Sequence, residues 1–256
     1  MPGPTSIEWT ESTWNPVTGC TKVSPGCAHC YAETFAERFR GVPGHPYERG
    51  FELQLRPERL QIPLTWRRPR LVFVNSMSDL FHEDIPDDFV QMVFNTMRTA
   101  SNHTFQILTK RHERLKEFAP RIEWPPNVWM GVSIENRRFV QRADALRSVP
   151  AAIRFVSAEP LLGPLIGLDL NGINWLIAGG ESGAHHRPMR ADWVRDLRDK
   201  CLSEGVAFFF KQWGGRYSKA GGRDLDGRQW SEMPRIAPKG RVGAATAGSR
   251  ARRSTT

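Results

Sequence analysis

Six short apolar runs punctuate the chain, at residues 71–75 (LVFVN), 104–109 (TFQILT), 128–133 (VWMGVS), 153–157 (IRFVS), 173–178 (INWLIA) and 206–210 (VAFFF). They stay apolar at nearly consecutive positions and do not alternate with polar residues. That pattern predicts strands covered on both faces, as in a parallel sheet.

The spacing between the runs turns helical. Within 86–100, Phe89, Val90, Val93, Phe94 and Met97 form one stripe, and Pro86, Asp87 and Asp88 suit a first turn. Within 135–148 the stripe is Phe139, Val140, Ala143 and Leu146; within 191–204 it is Trp193, Val194, Leu197, Cys201 and Leu202. Cys201 therefore reads as a buried packing residue. Residues 160–172, rich in Pro and Gly, read as a loop.

Strands alternating with helices imply βαβ units. With one more strand expected ahead of residue 20, the fold class is α/β, a partial or complete parallel β/α barrel. A doubly wound open sheet is the other arrangement the pattern allows. A single domain is expected over 1–235. Residues 236–256 are basic, rich in Gly, Ala and Ser and nearly free of large apolar residues, so a disordered tail is expected there.

Nearly every run ends in polar groups: Asn75 to Asp79, Thr109-Lys110-Arg111, Ser133 to Asn136, Ser157-Ala158-Glu159, Gly179-Gly180-Glu181 and Lys211-Gln212. In a barrel these ends meet at one rim, where chemistry gathers. Turns and caps favour Ser, Thr, Asn and Gly, so recurrent Asp, Glu, Lys and Arg point to a polar pocket instead.

Composition narrows the class. The 256 residues are 39% hydrophobic and 25% charged. No apolar run approaches the roughly 20 residues of a membrane-spanning helix. The first residues lack the basic-then-apolar order of a signal peptide, so a cytoplasmic location is expected. The net charge of +9 is compatible with a nucleic-acid or other polyanionic partner, and equally with a solvated surface and a basic tail.

Three of the four cysteines, Cys20, Cys27 and Cys30, lie within eleven residues. In a reducing compartment such a cluster points to metal or redox chemistry. Pro25-Gly26 supplies a turn, and a helix can begin near Cys30. A structural zinc site closes with a fourth ligand, for which His29 or His45 is available. Three thiolates on a [4Fe–4S] cluster instead leave one iron open.

These residues carry a resemblance. The segment WNPVTGCTKVSPGCAHCYAE, with NSMSDLF, LTKR, GVSIEN, SAEPLLGP and GGESG further on, resembles the phage-associated three-cysteine-motif proteins over about residues 7–213. Those proteins in turn resemble the radical S-adenosylmethionine (SAM) proteins. The resemblance implies a [4Fe–4S] cluster on Cys20, Cys27 and Cys30, SAM on the open iron, and a 5′-deoxyadenosyl radical formed with an electron donor. His29 would take the place of an aromatic that packs on adenine, with Tyr31 beside it. The first cysteine gap is six residues where three is usual, and Gly179-Gly180-Glu181 follows the penultimate run instead of the second. On chemical grounds those glycines still suit a loop that lets backbone N–H groups approach SAM or a phosphate.

Three functional readings follow. In the first, a radical enzyme, Ser133, Glu135, Ser157 and Glu159 lie near SAM, while Asp79, Lys110, Arg111 and Lys211 face a nucleotide or nucleic-acid substrate; a partner protein can complete the site. In the second, zinc stabilises a nucleic-acid-binding protein whose nine tryptophans supply stacking surfaces. In the third, an acidic rim works without metal, and His185-His186 serves as acid, base or ligand.

Overall fold

A computed structural model of the protein describes residues 5–234; the tail expected to be disordered lies outside the described residues. The chain runs β1 (Ser12–Trp14), β2 (Val17–Thr18), α1 (Tyr31–Glu37), β3 (Gln54–Leu55), β4 (Leu71–Val74), α2 (Asp87–Thr99), β5 (Thr104–Thr109), α3 (His112–Phe118), β6 (Val128–Ser133), α4 (Arg142–Arg147), β7 (Ile153–Ala158), β8 (Trp175–Gly179), α5 (Ala191–Glu204), β9 (Ala207–Gln212), β10 (Asp224–Leu225) and β11 (Arg228–Gln229). Seven strands form one sheet in the order β1-β4-β5-β6-β7-β8-β9, and every neighbouring pair is parallel. The order never reverses, so there is no topological switch point and the doubly wound alternative falls. The sheet curls into a partial barrel whose edges, β1 and β9, do not pair with each other.

The alternation of side chains divides the core in two. One face of the sheet, with Val72, Val74, Ile107, Met130, Leu176 and Phe208, packs under the helices. The concave face carries Phe73, Trp129, Phe155, Trp175 and Phe209, and Trp9 fills the hollow between them. The Trp9 ring lies 4.7 Å from Phe73 and 6.2 Å from Trp175, both edge-on. Each such side chain contributes about 1.5–3 kcal/mol by burial. The lumen is plugged by aromatics below, with buried Gln106 among them donating to the Trp9 carbonyl.

The apolar runs at 104–109 and 128–133 are β5 and β6 end to end. The 191–204 stripe is α5, which closes on Gly205 in the left-handed conformation. Leu202 departs from that stripe: it is exposed while Val194, Leu197 and Cys201 are buried. The helix expected over 135–148 is shorter, because 135–141 first turns over the barrel mouth through a 3-10 segment capped by Asn136. α3 escaped the pattern, having only Leu115 and Phe118 buried. No helix among the described residues is long and apolar enough to cross a membrane.

Candidate functional site

The expected rim residues share one parity. Lys110, Ser157, Gly179 and Lys211 each stand two positions beyond a concave-face residue (Leu108, Phe155, Ile177, Phe209), and Ser133 stands four beyond Trp129. Glu135, Glu159 and Glu181 each follow two residues later, forming a second tier. Ser133 and Ser157 are register partners. In the upper tier, Lys211 Nζ lies 2.8 Å from Glu159, which also accepts the Ser157 hydroxyl at 3.1 Å. Lys110 Nζ stands 3.8 Å from Glu135.

The cysteine loop crosses this mouth. Cys20, Cys27 and Cys30 are free and half-buried. Three strand ends hold the loop. Beyond β5, Arg111 donates to the Thr21 hydroxyl (2.8 Å), to the Thr21 carbonyl (3.2 Å) and to Cys20 Sγ (3.6 Å). Its neighbour Asp79 accepts the Thr109 hydroxyl and the Lys110 N–H, bracing the turn from which Arg111 projects. Beyond β6, Glu135 accepts the Ser24 hydroxyl at 2.5 Å and the Arg142 guanidinium at 2.9 Å. Beyond β8, Glu181 accepts Arg187 Nε at 2.9 Å and meets His29 Nδ1 at 3.1 Å, and Arg187 also donates to the Pro25 carbonyl. Cys30 is the N-cap residue of α1, and its side chain makes no capping hydrogen bond.

Burial pushes the Cys20 thiol up to about 11; the Asp79 charge adds to the rise and Arg111 opposes it. Burial likewise raises Cys30, opposed by the lowering influence of the Glu33 and Ala32 N–H groups at the start of α1. A metal cation bound at Cys20 and Cys30 would reverse this preference for the neutral thiol. Of the two histidines available to complete a zinc tetrahedron, His45 is held by the Tyr47 N–H and by stacking on Phe39 at 3.9 Å, whereas His29 meets Glu181 through Nδ1 and keeps Nε2 for a metal. Among the described residues, no three His, Cys, Asp or Glu side chains stand as ligands of a single ion. By donor chemistry alone the three thiols suit a three-thiolate iron–sulfur cluster, and with His29 Nε2 they suit zinc.

The remaining expectations divide. Asp79 and Arg111 are engaged at the cysteine loop and the turn beneath it. Gly179 and Gly180 have packing reasons: a Cβ on Gly179 would lie 2.8 Å from Glu159 Oε1, and one on Gly180 would lie 2.0 Å from the Trp213 carbonyl. Tyr31 is exposed, with its hydroxyl on the Ser76 carbonyl. His185 and His186 are exposed, the first with its ring 6.1 Å from that of His29. Six of the nine tryptophans are buried, and Trp124, Trp193 and Trp213 are half-buried. Sequence reasoning missed Ser24, Arg142 and Arg187. The Pro25-Gly26 turn signalled the first; nothing local marks the two arginines. It also missed the tension at Asn75, which is buried with φ of 59° and has no partner for its amide among the described residues.

The chain belongs to the family described as protein of unknown function (DUF5131), whose model matches residues 4–234. No curated protein and no solved structure matches it.

Proposed function

We propose that this protein is an iron–sulfur enzyme of the radical SAM type. The observation that carries the reading is the placement of three unpaired thiols on one loop, tied at three points across the polar mouth of a partial β/α barrel. Cys20, Cys27 and Cys30 would hold the [4Fe–4S] cluster, which would pass one electron from an external donor to SAM for radical chemistry. The protein's own part is orientation and exclusion of water. Ser133, Ser157 and the Lys211–Glu159 pair offer hydroxyl, ammonium and carboxylate contacts to a zwitterionic or ribose-bearing ligand. The aromatic plug below them keeps the lumen floor dry.

A nucleotide or nucleic-acid substrate forms part of the proposal. It is supported by the net charge of +9, by Lys110 at the mouth and by the motif resemblance to phage-associated proteins. Zinc without redox chemistry is the second reading, with His29, oriented by Glu181 through Nδ1, as the fourth ligand.

Anaerobic reconstitution followed by metal analysis and visible absorption tests the reading. About four irons per chain, with the chromophore abolished in Cys20→Ala, Cys27→Ala and Cys30→Ala but kept in Cys201→Ala, is the expected result. One zinc per chain and no chromophore would overturn it.

A further inference from the structure

We propose that Glu135 is a positioning residue for Cys27, held by Arg142 and acting through Ser24. The inference rests on the cysteines being ligands of one metal centre, but the contacts that carry it lie outside the sulfurs. Glu135 has no exposed surface and stands two residues past the end of β6, where the sheet fixes its backbone. One carboxylate oxygen accepts Arg142 Nη1 at 2.9 Å; the same nitrogen bonds the Ser133 carbonyl at 2.7 Å, so the guanidinium cannot swing away without losing both. The other oxygen accepts the Ser24 hydroxyl at 2.5 Å.

Ser24 begins the turn that presents Cys27. Its carbonyl accepts the Cys27 N–H at 2.9 Å, and its hydroxyl oxygen lies 3.8 Å from Cys27 Sγ. Gly26 completes the fit: a Cβ there would stand 2.5 Å from Glu135 Oε1, so the turn can seat on the carboxylate only without a side chain at that position. Lys110, at 3.8 Å, adds a positive charge on the same side. With both oxygens engaged and no solvent access, Glu135 acts on the metal loop through its fixed position and supplies no ligand atom. A buried carboxylate is costly unless paired and hydrogen-bonded, and the pairing seen here turns that requirement into a rigid seat.

Site-resolved alkylation of the three cysteines in the metal-free, reduced, full-length protein tests this, comparing wild type with Ser24→Ala, Gly26→Ala and Glu135→Gln. Cys27 is expected to label about tenfold faster in each variant, the factor expected from loss of one charge-assisted hydrogen bond, with Cys20 and Cys30 unchanged. After reconstitution the variants should also show an altered reduced-cluster EPR line shape. If Glu135→Gln does not fold, Ser24→Ala decides alone, since it leaves the Glu135–Arg142 pair in place. An unchanged Cys27 rate, or an equal rise at all three cysteines, would overturn the proposal. Selective Cys27 labelling in a protein that takes up no metal would uphold the seat and overturn the metal reading alone.

Discussion

At the scale of single residues, charge pairing does more here than charge count. Burial alone would raise the Glu181 carboxyl, but the guanidinium and backbone N–H of Arg187, with His29, outweigh it and hold the carboxyl at about 2. A carboxylate depressed in the folded state adds stability that is fully present above the unfolded value of about 4.5 and is lost as pH falls toward 2. The difference corresponds to about 3 kcal/mol. Urea unfolding of Glu181→Gln is therefore expected to show a loss of about 2–3 kcal/mol at pH 7 that shrinks between pH 4.5 and 2. A loss of equal size at pH 2.5 would mean that the ionised carboxylate is not its source. The cysteine cluster and the polar strand ends that gather at one rim were legible in the sequence, because each is a local run of residues. Arg142 and Arg187 were not, because an arginine becomes an anchor only through the carboxylate that folding brings to it.

Elements show the same division between local and distant causes. β5, β6 and α5 could be read almost to the residue, since their burial pattern repeats along consecutive positions. The short pairs β2–β3 and β10–β11 could not, being two residues per strand and stabilised by what they pack against. One of them guards an edge. The segment after β11 pairs along the free side of β9: the Phe210 N–H donates to the Trp230 carbonyl at 2.9 Å and the Glu232 N–H to the Phe208 carbonyl at 3.1 Å. Without that cover, β9 would present a run of three phenylalanines on an open edge, a template for pairing with another chain. A chain ended after Gly222 also loses the burial of Leu225 and Trp230. It is expected to self-associate in size-exclusion chromatography with light scattering. A monomer with unchanged melting would show that the cover is dispensable.

The whole molecule is a curled sheet with a dry aromatic floor and a polar mouth, over which one loop carries all three clustered cysteines. The partial barrel followed from the sequence because uninterrupted apolar runs alternating with helices admit few arrangements, and the monotonic strand order selects among them. The three-point attachment of the loop was not legible, since it joins residues more than sixty positions apart, as between Thr21 and Arg111 or Ser24 and Glu135. That attachment is what sets the thiols above the lumen, and it makes the central claim accessible to one measurement. EPR of the anaerobically reconstituted, dithionite-reduced protein, recorded with and without SAM, reports both the cluster and the open iron. A reduced [4Fe–4S] signal whose line shape shifts when SAM is added is the expected result. A reduced cluster indifferent to SAM, or no cluster signal at all, would contradict it.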